Sequence, residues 1–424
     1  MTMTPSRPTS PPQAERWPGL DVVPSGPRAR VSAAIARRLF VAAVSRLDVT
    51  VHLDLPEGRH TIGRGGPEMT VHRPDELWAR VGRHQLIGFG EAYLTGAWDA
   101  PDLGGFLTVL AAEMQDLVPQ NLQKARALVV KRPPSWMHSS KSNSQRNIAH
   151  HYDLSNDLFE LFLDPTMSYS SALFEASPAA ARAEDLEAGQ ANKIERLLDR
   201  AKVGAGSRVL EIGSGWGELA IRAARRGASV RTITLSVEQQ HLAQARIEAA
   251  GLGHLVDVEI CDYRDVTGEY DAVVSVEMIE AVGHDYWGEY FRTIDKVLAP
   301  GGVVAIQAIT MPHDRMLATR NTYTWIHKYI FPGGLLPSVS VIEQITHEQT
   351  SLRLVERQAF GQHYAATLRL WDDAFLGSPD EVAALGFDEV FVRMWHFYLE
   401  YSRAGFASGY IDVNQLVLAR PEDS

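Results

Sequence analysis

The stretch Arg208-Val209-Leu210-Glu211-Ile212-Gly213-Ser214-Gly215-Trp216-Gly217 decides the fold. Val209 to Ile212 is a short, mostly apolar run with β-branched residues, and glycine follows it directly. That is how a buried parallel strand reads. Gly213, Gly215 and Gly217 stand at alternate positions, and a helical pattern begins at Glu218. A strand, a glycine turn and a helix N-terminus let the backbone approach a nucleotide-like ligand closely. Glycines so placed also make a tight strand-to-helix turn, and this stretch alone leaves both uses open. The order Glu-x-Gly-x-Gly-x-Gly is not the dinucleotide fingerprint Gly-x-Gly-x-x-Gly.

Outward from this stretch the pattern alternates. A helix from Leu186 to Leu198 precedes the strand, and a short one, Leu219 to Arg226, follows it and stops at Gly227. Val230–Leu235 reads as the second strand. Ser236 is placed to cap a helix over Val237–Ala250, with Glu238 in its first turn. Val256–Ile260 and Tyr270–Val276 are the next strands. A helix over Tyr286–Leu298 ends at Pro300-Gly301-Gly302, and Val303–Ile309 is the fifth strand. This spacing predicts a doubly wound, mostly parallel α/β sheet. Ligands in such sheets bind at the carboxyl ends of the strands. Gly213–Gly217, Thr234–Gln239, Asp262 and Glu277–Glu280 then surround one crevice.

The N-terminal part has a different texture. Met1–Pro27 is rich in Pro, Ser, Thr and Arg and reads as a disordered tail to about residue 30, without a signal peptide's apolar core. Val31–Leu47 has helical spacing with Arg37, Arg38 and Arg46 on its polar side. Such a helix lies on a membrane or packs one face on its own domain. Val49–Leu55 alternates like a strand, Gly63–Gly66 is a turn, and Pro74–Val81 is a short helix. Gly88–Asp99 mixes glycines and aromatics like a compact loop. Phe106–Leu117 is another helix. Lys131–Ser144, with Pro133-Pro134 and several serines, reads as a linker. The expected division is a tail over 1–30, an N-terminal lipid-associated α+β domain over 31–130, a basic linker over 131–146 and a catalytic domain over 147–424.

Charge supports that division. The net charge is -11, yet residues 1–150 hold 18 Lys/Arg against 13 Asp/Glu. No acid falls between Asp116 and Asp153, while Lys124, Arg126, Lys131, Arg132, Lys141 and Arg146 do, around Trp136 and Met137. A basic stretch holding an aromatic suits an anionic surface, and an ordinary solvated linker has the same charge pattern. The single cysteine, Cys261, excludes an intrachain disulfide and fits a reducing cytoplasm. No apolar run reaches the ~20 residues that span a bilayer. The His150-His151 pair has no further ligand spacing beside it, so it reads as structural rather than as a metal site.

Taken together, these residues resemble the cyclopropane-fatty-acid synthase family of S-adenosylmethionine (SAM) dependent lipid methyltransferases, and the resemblance spans nearly the whole chain. It rests on the glycine stretch, which looks like motif I of class I methyltransferases, and on His151-Tyr152-Asp153-Leu154-Ser155-Asn156-Asp157. Leu163-Asp164-Pro165 with Tyr169-Ser170, Thr234-Leu235-Ser236 with Glu238-Gln239-Gln240, and Asp262-Tyr263-Arg264-Asp265 also carry it. So do Tyr329-Ile330-Phe331-Pro332-Gly333-Gly334 with Leu336-Pro337-Ser338, and Gly361, Tyr364, Thr367 and Leu368. Pro74–Trp98 resembles the extra N-terminal domain of the phospholipid-acting members.

The resemblance implies a Rossmann-like, mostly parallel seven-stranded sheet with a smaller N-terminal α+β domain. It implies that Tyr169 and Ser170 close over SAM, and that Gly213, Gly215 and Gly217 pass its methionine end. Thr234, Leu235 and Gln239 then lie along the ribose and adenine, with Asp262 in the same crevice. It also implies an acyl tunnel lined partly by Tyr323–Leu336. The implied partners are phospholipid acyl chains at an anionic membrane surface, on the cytoplasmic face of the cell membrane. Neither nucleic acid nor a metal is expected, and family members are often homodimers.

The sequence also departs from the family. Better-known members hold a bicarbonate as base, using a cysteine after Tyr-Ser, a Glu-His pair after the fourth strand, a histidine on the fifth strand and a tyrosine. Here those positions read Ser171, Glu280-Ala281, Gln307 and Tyr364, and Glu277 stands where those members usually have glycine. The expectation is that the Glu277 carboxylate replaces bicarbonate, held by Glu280, Tyr364 and Gln307, with Ser171 alongside. Alternatively, Glu277 binds the cofactor's amino group or caps a helix. The chemistry requires a base either way. Methyl transfer to an isolated cis alkene leaves a carbocation, and a proton must then be removed. The expected product is a methylene-branched fatty acid of the 10-methylenestearate type, as in the tuberculostearate pathway, where a separate reductase completes the methyl branch. Cyclopropanation, or methylation of a soluble small molecule, are the alternatives.

Overall fold

The computed structural model describes residues 4–113 and 155–421. The basic linker and the His150-His151 motif lie outside the described residues. The described chain divides into two compact units.

The first unit holds the described residues up to 113 together with Tyr323–Ile330 and Trp371–Tyr410. Its sheet has the order β2-β1-β3-β4, with β1 over Thr50–Leu55, β2 over Gly58–Gly63, β3 over Glu68–Val71 and β4 over Trp98–Asp99. The expected division at the basic stretch therefore does not describe this unit, which takes two later segments as well. The reason is visible at Arg393, on helix Glu389–Ala407. Its buried guanidinium donates to the carbonyls of Tyr93 and Trp98 and to Asp99 Oδ1, and lies 4.0 Å from the Tyr93 ring centroid.

Two further expectations change here. The described residues 4–30 are not a disordered tail: Trp17 Nε1 donates to Asp388 Oδ2, Thr9 N to Glu389 Oε2, and Leu20 is buried. Gly88–Asp99 is not a loop but helix Leu86–Leu94 followed by β4. Its glycines permit close packing rather than turning. A Cβ on Gly88 would stand 2.0 Å from the Arg80 carbonyl oxygen, and one on Gly90 2.5 Å from the Trp325 ring.

The second unit holds the described residues 155–322, Phe331–Leu370 and 411–421. Its strands are β5 (Arg208–Ile212), β6 (Ser229–Thr234), β7 (Val256–Ile260), β8 (Tyr270–Val276), β9 (Leu298–Thr310), β10 (Arg353–Ala359) and β11 (Asp412–Ala419). They form one sheet in the order β10-β11-β9-β8-β5-β6-β7. β11 pairs antiparallel with both neighbours, and the remaining pairings are parallel. Helices Leu186–Arg200, Glu218–Arg225 and Val237–Ala249 supply Leu197, Ala223 and Ile247 to the core on one face. Helices Trp287–Val297 and Val339–Gln349 supply Phe291, Ile294 and Ile342 on the other. A sheet covered on both faces explains why its central strands read as continuous apolar runs.

Candidate active site

The three glycines of the turn do different work. Gly213 has φ +96, and a Cβ there would lie 2.4 Å from Met278 Cγ. Gly217 has φ +91 and packs on Ala243 of helix Val237–Ala249. Gly215 alone has open space above it, with no atom within 4 Å of a Cβ position. Beside the turn, Glu211 Oε2 and Ser214 Oγ are buried without a hydrogen-bond partner. An open glycine flanked by unmet polar atoms fits a ligand carrying both donors and acceptors, as the amino-acid end of SAM does.

The neighbouring expected residues are ordered around the turn. Tyr169 stands edge-on to Phe159, which also packs on Trp216. Ser170 Oγ accepts from Lys193 Nζ at 2.6 Å. Thr234 Oγ1 donates to Gln239 Oε1 at 2.9 Å, at the carboxyl end of β6, and Leu235 is half-buried beside them. Ser236 caps its helix as expected, accepting from Gln239 N. Asp262 accepts from the Arg264 backbone N–H and guanidinium, which fixes its carboxylate at the end of β7.

The acids come together past the end of β8. Glu277 is half-buried and accepts three hydrogen bonds. Gln307 Nε2 donates to Oε1 at 2.9 Å, the Ser171 N–H donates to Oε1 at 3.1 Å, and Tyr364 Oη donates to Oε2 at 2.6 Å. Tyr364 lies on helix Gly361–Leu376, in the part that belongs to this unit. Glu277 also has φ +51. A side chain in that left-handed region costs about 1 kcal/mol, and such strain collects at functional sites.

Two roles differ from expectation. Glu280 does not hydrogen-bond Glu277: its Oε1 accepts from Ile309 N, and its Oε2 has no partner. Helix Ile279–Val282 turns it toward the β9 backbone instead. The Ser171 hydroxyl donates to the Ala172 carbonyl, so only the Ser171 backbone reaches the acid. The Tyr323–Leu336 segment is split between the units after Ile330.

Electrostatics separates the two acids. Burial pushes Glu277 up, opposed by its bonds to Tyr364 and Gln307, the Lys193 charge and the Ser171 N–H. Burial and then the Glu277 charge push Glu280 up to about 8. Glu280 is therefore the protonated member at neutral pH, and Glu277, with three donors, is the member built to carry charge.

Lys193, Gln415 and Arg196 escaped the sequence reading. Lys193 is 1% exposed, and burial brings its ammonium down to about 8. A signal was present: Leu186, Gln190, Lys193 and Leu197 share one helical face, and two of them are polar where core residues belong. Among the described residues no group of His, Cys, Asp and Glu is arranged to hold a metal.

The sheet order, the open glycine and the residues at the strand ends define a class I SAM-dependent methyltransferase. Solved structures agree. The cyclopropane synthase MmaA2 of Mycobacterium tuberculosis matches with TM-score 0.59 and 32% identity, covering 65% of this chain and 98% of that one. Coclaurine N-methyltransferase with bound SAH matches with TM-score 0.55 over 75% of this chain and 98% of that one, at 15% identity, a likeness of fold alone. The chain belongs to the mycolic acid cyclopropane synthetase family, which it matches over residues 139–416. It is 54% identical over 410 residues, 96% of each chain, to tuberculostearic acid methyltransferase UfaA1 of Mycobacterium tuberculosis. It is 34% identical over 360 residues to the cyclopropane-fatty-acyl-phospholipid synthase of Escherichia coli, covering 84% of this chain and 89% of that one. It is a SAM-dependent methyltransferase of this family.

Proposed function

We propose that this enzyme methylates the cis double bond of an oleoyl-like phospholipid acyl chain and forms a methylene-branched product, with Glu277 as the base. The observation that carries the reading is the Glu277 carboxylate, held by three donors at a backbone position where glycine would be unstrained. The similarity to a tuberculostearic acid methyltransferase supports the substrate class. Gly213–Gly217, Tyr169, Ser170, Thr234, Leu235, Gln239 and Asp262 hold SAM, which supplies an electrophilic methyl group. The alkene π pair would form the new C–C bond while the methyl–sulfur bond breaks with its electron pair left on the departing S-adenosylhomocysteine, leaving a cation on the acyl chain.

Glu277 then removes a proton from the added methyl after a hydride shift. The C–H electron pair becomes the methylene double bond, and Glu277 becomes the carboxylic acid. Tyr364 and Gln307 orient the carboxylate through this exchange. Glu280, kept neutral, adds no second negative charge beside it. A dry site protects the cation from water. Proton loss leaves a double bond in the product, so reduction to a methyl branch falls to a separate reductase.

The substrate lies at a membrane. Among the described residues no helix is long and apolar enough to cross one. Helix Pro27–Val44 instead exposes Val31, Ile35 and Leu39 at four-residue spacing and carries four arginines and no acid. That pattern supports contact with an anionic surface.

The test incubates purified protein with labelled SAM and oleoyl-phosphatidylglycerol vesicles without added bicarbonate. Vinylidene protons in the released fatty acids are the expected result. Cyclopropane protons would replace the product assignment and keep the methyltransferase. Absence of any lipid product would overturn the substrate class.

A further inference from the structure

We infer that Arg196 is a positioning residue for Glu277, because it sets the direction of a two-amide relay, Gln415 to Gln307, that presents a donor to the carboxylate. This rests on the reading of Glu277 as the base. Arg196 Nη1 donates to Gln415 Oε1 at 2.6 Å. A guanidinium has only donors, so it admits only the oxygen end of an amide. That turns Gln415 Nε2 the other way, where it donates to the Lys193 carbonyl at 3.0 Å and to Gln307 Oε1 at 3.2 Å. Gln415 and Gln307 are directly opposed in the β11–β9 ladder. With its oxygen taken, Gln307 offers Nε2 to Glu277 Oε1.

The two ends of an amide are alike in shape, so only partners decide which way it points. Gln307 and Gln415 are each 1% exposed, and water is poorly placed to substitute for a lost partner. Each link is fixed by the one before it, and the first cannot reverse. Without Arg196 only the Lys193 carbonyl still directs Gln415, so turning both amides over costs less. Gln307 then presents oxygen to Glu277, which only the protonated acid accommodates. The other groups facing Glu277 are the Tyr364 hydroxyl, the Ser171 N–H, the Lys193 ammonium and the Glu280 carboxyl. None of them is altered by a change at Arg196.

The experiment is the pH profile of kcat with SAM and dioleoyl-phosphatidylglycerol vesicles. Arg196→Met should move the acid limb up by about one pH unit, the size of one hydrogen bond to a charged group. Arg196→Lys, also donor-only, should leave the limb in place. So should Glu356→Gln, which weakens the outer ion pair and keeps the guanidinium. In Arg196→Met, Glu356 retains Arg200 at 3.2 Å. Infrared titration of the carboxyl stretch lost in Glu277→Gln should shift equally and needs no turnover. If Arg196→Met fails to fold, Gln415→Met replaces it with the same expected shift. An unmoved limb and an unmoved infrared titration would overturn the relay, as would Arg196→Lys shifting as far as Arg196→Met. Full turnover in Glu277→Gln would instead overturn the base reading, while the infrared titration of wild type against Arg196→Met still decides the relay if the titrating stretch vanishes in that variant.

Discussion

Glu91 in the first unit and Glu280 in the second are treated in opposite ways. In the first unit Glu91 is 1% exposed. Burial alone would raise it, but the His84 hydrogen bond and the Lys328 ammonium outweigh that and hold the carboxyl at about 2. Lys328 Nζ lies 2.5 Å from Oε1, His84 Nδ1 lies 3.0 Å from Oε2, and Tyr329 Oη donates at 3.2 Å. That proton is gone at any working pH, so the site is structural. In the second unit Glu280 is pushed up to about 8, and burial also raises Glu277 despite its hydrogen-bond donors and the Lys193 charge. Glu91, with its own cation, fixes the fold, while Glu280, with no cation bonded to it, keeps a proton within reach of chemistry.

The largest test of this contrast is Glu277→Gln. It should lower turnover by about 10²- to 10⁴-fold, the usual worth of a general base, with SAM affinity changed by no more than about threefold. Single-turnover assays and calorimetric titration with SAM measure the two separately. Lys328→Met comes next. It leaves a buried carboxylate with less compensation and should cost about 2 kcal/mol in denaturant unfolding, discounted because Lys328 is itself partly exposed.

The pH dependences should run in opposite directions. The folded pKa of Glu91 lies below its ordinary 4.5, so its contribution is present above 4.5 and is lost as pH falls toward about 2. The folded pKa of Glu280 lies above 4.5, so stability falls as pH rises from 4.5 through about 8. Glu280→Gln should flatten that decline, as read by thermal unfolding across the window. The smallest effect separates the glycines. Gly213→Ala meets Met278 and should cost about 1–2 kcal/mol of stability. Gly215→Ala should cost about 1 kcal/mol through its φ of +49 alone and should also weaken SAM binding, because its Cβ enters open space.

The second unit was largely legible. Tyr270–Val276 reads to the residue because it is an almost continuous apolar run, and Val256–Ile260 because its Val-Asp-Val-Glu-Ile alternation is that of an edge strand with one face buried. The first unit was harder. β2 is exposed along nearly its whole length and shows no alternation. Gly88 and Gly90 resembled turn residues because the reason for them, the Arg80 carbonyl and the Trp325 ring, lies elsewhere in the chain. At the site, Glu277 and Gln307 could be named as candidates from their departure from the family pattern, and Tyr364 from its agreement with it. Arg196 and Gln415 could not, since their roles depend on a pairing between β9 and β11 that no local spacing reveals.

The Arg393 contacts also set an order of events during synthesis. Arg393 Nε meets the Tyr93 carbonyl across 300 residues of chain. At a ribosome adding about 5–20 residues per second, that separation is roughly 15–60 s. The Tyr93–Trp98 segment therefore waits, lacking its guanidinium, until about 300 further residues have been made. A chaperone that shields nascent aromatics would act in that interval, and a fragment ending at the basic stretch would never leave it.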